Sequence, residues 1–284
     1  LIRLLHNRYL MGERVYFHHA KLVTGTMLAG AVIRACQGGE LKASDFNEMG
    51  DDVLMWRLIQ SADTATRRLA MSLGRRELWK MIYERGRSYV QAEQQALRSV
   101  DLSHELMDRF HTDAAGRMAA EDRIAELLGV ERGDFLIHCP HYKMAMKPAD
   151  VMVFWNGKLQ PLKDCSDDEL VGAKLQSILD SHANLWAIRA FLNPDRLALR
   201  DTVAEACDML FTFEPSRRRR SMQGFFANII ERTAREEDLD DGLTHSQFET
   251  CRQKALTAIS AIDESKRTPQ AVSDCVRKAF GTGA

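Results

Sequence analysis

Apolar and polar positions alternate most clearly across Glu13–Arg34, where Tyr16, Ala20, Val23, Met27 and Ala31 recur at helical spacing and fall on one narrow stripe. The spacing predicts a long amphipathic helix, central to the fold, with its stripe turned to the core. Val15, Tyr16, Phe17, His18, His19 and Lys21 open its first turns. On a helical wheel His19 lies roughly 60° from the stripe, while His18 and Leu22 point well away from it, so the phase makes His19 the more buried imidazole. Leu1–Tyr9 reads as the end of a preceding helix, with a break at Met11–Gly12. Gln37–Gly38–Gly39 closes the central helix, because glycine takes the left-handed cap conformation that other residues resist.

Further along, Asp45 or Asp51 is placed to cap the next helices, and Asp63 or Thr64 to start one that runs through Leu69 to Leu73. Leu78–Tyr83 is short, aromatic and roughly alternating, which suits a first strand or a helix end. Helical spacing returns at Gln94–Phe110 and at Ala114–Leu128, the latter closed by Gly129. Asp134–Cys139 and Asp150–Trp155 then read as strands, and Asn156–Gly157 before Lys158–Leu159 makes the second one arm of a hairpin. Asp167–Ser181 has helical spacing and Leu185–Leu192 reads as a strand. Asn193–Pro194 turns into a helix over Asp195–Phe211. After Glu214, Phe225–Arg232 suggests a short helix, Thr233–Leu243 a polar linker, and Ser246–Ile262 and Thr268–Phe280 two closing helices.

The pattern therefore predicts a mainly α fold with a small α+β appendage and a helical tail. The expected domains are 1–115, helical; 116–213, mixed; and 214–284, a helical tail with a polar linker. The 284 residues are enough for substantial cores. A formal net charge of -1 gives no reason to expect nucleic acid as a general partner. The six cysteines are scattered without a CxxC pair, which argues against a disulfide framework. There is no apolar run long enough to span a bilayer and no signal peptide, so the expectation is a cytoplasmic protein without membrane contact. The chain opens on Leu1, already inside a helical pattern, which suggests part of a longer polypeptide.

Candidate chemistry is dispersed. His138, Cys139 and His141 have the donor types of a zinc site, but they crowd a four-residue span without a fourth ligand; the alternative is a strand end with a buried thiol. His104, Asp108, His111 and Asp113 share a helical face that suits a divalent cation or simply water. Lys143 and Lys147 are phosphate candidates as point charges. The arginines 217–220 would grip phosphates or pair with the acids of 236–241. There is no Walker A loop, Rossmann fingerprint, GxSxG elbow or HExxH helix.

The order Val15-Tyr16-Phe17-His18-His19, then the Asp-Asp-x-x-Leu/Met-Trp pattern at Asp51–Leu58, then Asp122–Leu128 and Gly133–Pro140, resembles the later part of an HD-domain metal-dependent phosphohydrolase of the deoxynucleotide triphosphohydrolase-like branch. The resemblance covers residues 1–200 and matches the family's Tyr-x-His element at Tyr16 and His18, with His19 where a lysine is common and Lys21 able to carry that charge. It implies a phosphohydrolase acting on a nucleotide or small phosphoester, with Tyr16 as hydroxyl donor, His18 as donor or proton relay, and Lys21, Arg14 and His19 near phosphate. It also implies a divalent metal (Mn, Mg, Fe, Ni or Zn), and self-association into a homo-oligomer. The family's His-Asp metal pair is missing: the sequence has no His-Asp dipeptide and its first aspartate is Asp45. The metal ligands are therefore expected on an upstream segment. The rival reading is a noncatalytic nucleotide-binding or assembly module on the same scaffold.

Overall fold

A computed structural model describes residues 2–97, 102–141, 152–155, 157–162, 173–174, 177–178, 180–181 and 185–281. The fold is mainly α, with a small α+β part, as the apolar pattern predicts. Two compact units share the chain: the first takes 1–117 and 136–191, the second 118–135 and 192–284.

The first unit is built on helix α2, His19–Gln37, preceded by α1, Ile2–Met11, and a π turn over Gly12–Tyr16. This corrects the single helix expected from residue 13. The chain leaves the π turn at Phe17, and His18 adopts an extended conformation (ψ 135°) in which it caps α2. Below the cap the stripe behaves as its spacing requires, burying Val23, Met27 and Ala31. Leu22 is buried as well, with Thr26 one turn on, so the covered face is wider than the stripe, and both His18 and His19 are exposed. Gly39 (φ +75°) follows the helix. Helix α3, Asp51–Ile59, follows Gly50, and α4, Thr64–Arg75, is capped by Asp63, whose Oδ2 accepts from Thr66 N at 2.8 Å. Leu69 and Ala70 of α4 pack with Met27 and Ala31 of α2, joined by Trp79, Leu136 and Phe191.

Strand β1, Lys80–Gly86, leads into α5, Arg87–Leu97; α6, Leu102–Met107, continues into a second π turn, Asp108–Thr112. The helical spacing expected over Gln94–Phe110 falls on α5, α6 and this turn, with 98–101 outside the described residues. Helix α7 covers Ala114–Leu128, ending at Gly129 (φ +63°). Strand β2, Phe135–His138, is followed by the hairpin of β3, Met152–Trp155, and β4, Lys158–Pro161, antiparallel with Phe154 opposite Leu159. Strand β5, Ala187–Leu192, is buried at every position and lies between β1 and β2. That central place explains its largely apolar sequence. Its exception, Arg189, directs Nε to Glu84 Oε2 of β1 at 2.7 Å. Lys143, Lys147 and most of the helix expected at 167–181 lie outside the described residues.

In the second unit a buried Asp134 receives Asn193 Nδ2 at 2.6 Å and Glu131 N at 3.1 Å, and Asn193 Oδ1 in turn receives Asp195 N. This pairing sets the turn before a 3-10 segment, Pro194–Leu199, and helix α8, Arg200–Phe211. Helix α9 is longer than expected: it runs Pro215–Glu236, taking in the arginines and the first part of the expected linker. Proline suits its first position, and Phe225, Phe226, Ile229, Ile230 and Ala234 provide its buried face. Arg217 faces Asp208 at 3.3 Å and Arg218 reaches both oxygens of Glu264 at 3.1 Å, so the acids they meet lie outside 236–241. Helices α10, His245–Ala261, and α11, Pro269–Gly281, complete the unit. Among the described residues no helix is long and apolar enough to cross a membrane.

Candidate functional site

The largest change from the linear reading is that separate histidine patterns meet in the first unit. A cleft of about 640 Å³ is lined by Tyr16 and Phe17 from the end of the first π turn, by one face of α2, by His111 from the second π turn, by Arg117, and by the end of β2. A π turn inserts a residue into the helical repeat and re-aims its side chains, a device common at functional sites. Here one such turn delivers Tyr16 and the other His111.

Helix α2 divides its labour by face. Val23, Met27 and Ala31 go to the core, while Lys21, Gly25 and Ala29 remain exposed and line the cleft. Nothing lies within 4 Å of a Cβ built on Gly25, so this wall is open. Lys21 Nζ sits 5.1 Å from the centre of the Tyr16 ring, a cation–π contact that holds the ammonium at the cleft. Arg117 donates through Nη1 to the Phe110 carbonyl at 3.1 Å. Among the described residues the lining thus carries two fixed cations, Lys21 and Arg117, and no carboxylate. By Coulomb's law that composition favours an anion.

The other predicted residues stay close in sequence but are not part of this lining. Arg14 is exposed within the first π turn. The rings of His18 and His19 are tilted against each other with centres 4.1 Å apart, and His18 Nδ1 accepts from Ala20 N at 3.3 Å. A neutral His18 therefore carries its proton on Nε2. Sequence reasoning missed Arg117, and it treated His111 and His138 as members of two unrelated patterns.

His138 and Cys139 shape the far wall. Burial, then the guanidiniums of Arg189 and Arg117 and the His111 imidazole, hold the His138 pKa down at about 4. Burial pushes the Cys139 thiol up to about 12, which leaves it protonated and a poor metal ligand. His111 Nδ1 lies 2.9 Å from the Cys139 carbonyl, and its ring meets His141 edge-on at 5.6 Å. Among the described residues no group of three or more His, Cys, Asp or Glu could hold a metal ion. The cleft's imidazoles, set beside Arg117 and without a carboxylate among the described residues, do not fit the divalent metal implied by the resemblance.

No curated protein and no solved structure matches the chain. Residues 3–219, well over half of the sequence, match the family model described as the HD associated region, and the chain belongs to that HD-domain-related family.

Proposed function

We propose that this chain supplies the phosphate-holding wall of a phosphohydrolase acting on a nucleotide or other phosphoester. The observation that supports the reading is the cleft with two cations and, among the described residues, no carboxylate, in a chain whose family belongs to the phosphohydrolase-related context of HD domains. Lys21 and Arg117 offset the phosphate charge, Arg117 through a planar fork suited to two oxygens. The Tyr16 hydroxyl donates to a phosphate oxygen. His18, exposed at the cap of α2, serves as donor or relay, with Arg14 and His19 near the phosphate. A divalent metal would supply Lewis-acid chemistry from ligands other than the cleft residues. The second reading, a noncatalytic nucleotide-binding module, draws on the absence of a metal-holding group among the described residues.

Phosphate release by the intact protein, supplied with Mn²⁺ or Mg²⁺ and a panel of nucleotides and phosphoesters, tests the proposal. Lys21→Ala and Arg117→Ala are expected to lower kcat/KM by about tenfold or more each, the loss of one charge-assisted hydrogen bond. His18→Ala is expected to reduce turnover more than His19→Ala. A metal-loaded protein that leaves the whole panel intact while still binding phosphate would favour the noncatalytic module.

A further inference from the structure

Two imidazoles enter the cleft with their tautomers set from behind. His111 Nδ1 faces the Cys139 carbonyl, an oxygen that only accepts, so a neutral His111 keeps its proton on Nδ1. At His138 a hydroxyl has the same effect. Thr26 Oγ1 directs its one proton to the Leu22 carbonyl at 2.8 Å, and so it accepts from His138 Nδ1 at 3.3 Å. His138 Nε2 is left with a bare lone pair.

Among the described residues no donor reaches that lone pair, and Nε2 is not among the unpartnered side-chain atoms sealed from solvent. It therefore opens on the cleft that His138 lines. Burial, and then the charges of Arg189, Arg117 and His111, oppose protonation of the ring, so it remains an acceptor at neutral pH. An acceptor among cations is an unusual component for an anion site. Against a fully deprotonated oxygen it would be repulsive, and only a ligand that brings a proton satisfies it.

We infer that the cleft selects oxyanions that carry a hydrogen-bond donor, with His138 Nε2 accepting from a P–O–H group or from a hydroxyl beside the phosphate, and that it turns away an oxyanion with neither. This rests on the cleft being an anion site, as proposed above. Thr26 is the positioning residue, since it fixes which ring nitrogen carries the proton.

Calorimetric titration of the full chain at about pH 6 with inorganic phosphate, sulfate and a sugar 6-sulfate tests this, because His138 is neutral there and phosphate keeps a proton that sulfate lacks. Phosphate is expected to bind about tenfold tighter than sulfate, despite the higher charge of sulfate. His138→Phe, which keeps a ring but removes the lone pair, should bring the ratio towards one. Thr26→Val, which frees the tautomer without touching His138, should shrink it and serves if the first variant does not fold. Tight binding of the sugar sulfate assigns the donor to a neighbouring hydroxyl, and tight binding of phosphate alone assigns it to the phosphate; both support the inference. Equal affinity for all three, or a ratio unchanged in both variants, overturns it and leaves the anion site standing. No binding of any of the three removes both.

Discussion

His138 links the stability of the first unit to pH as well as shaping the cleft. The unfolded chain takes up a proton at this ring below its ordinary value of 6.5, whereas the folded chain does so only near 4. Between those limits the unfolded state binds more protons, so acidification favours unfolding. The contribution is intact above about pH 6.5 and falls away towards pH 4, by up to about 3 kcal/mol. Urea denaturation across that window is expected to show a shallower loss of stability in His138→Phe than in the parent. The same residue marks the limit of sequence reading. Tyr16 and Lys21 were singled out through the resemblance, and they meet at the cleft because they lie close in sequence on either side of the α2 cap. Arg117, His111 and His138 come from a helix, a π turn and a strand end, and their meeting is fixed by tertiary packing that spacing does not encode.

At the level of elements, α2 carries both a core face and a cleft face, and Gly25 sits on the second. A glycine inside a helix costs roughly 1 kcal/mol relative to alanine. With open space above it, Gly25→Ala is expected to raise the melting temperature while weakening phosphate binding, because the methyl occupies the cleft wall. A thermal melt and a phosphate titration on one preparation check both signs. Most element ends were legible for local reasons, such as Asp63 as a cap and Gly39 and Gly129 in left-handed conformations. The two π turns were not, since no residue type marks the point at which one residue is added to a helical repeat. Helix α9 was underestimated because its first two turns hold Arg217–Arg220 and its buried stripe begins only at Phe225.

At the scale of the molecule, the family match ends at residue 219, just inside α9, but the second unit does not end there. The later part of α9, with α10 and α11, contributes Phe225, Ile229, Ile230, Ala255, Ile259 and Val276, all buried. A chain stopped after Arg219 would uncover the faces of α7 and α8 in that unit, and each large side chain so exposed forfeits roughly 1.5–3 kcal/mol of burial. Loss of a cooperative unfolding transition and aggregation on a sizing column are the expected results. A soluble, cooperatively melting 1–219 chain would show that the family region holds its own core.

The alternation of the two units along the chain also bears on synthesis. A ribosome releases residues in order, and domains usually fold as their last residues emerge. Here the first unit cannot close until the strand at 187–192 is out, and the segment 118–135 must wait for partners made later still. Through that interval the nascent polypeptide carries Ile124, Leu127 and Leu128 uncovered, so holdase chaperones have most reason to engage while that stretch is clear of the exit tunnel and its partners are not.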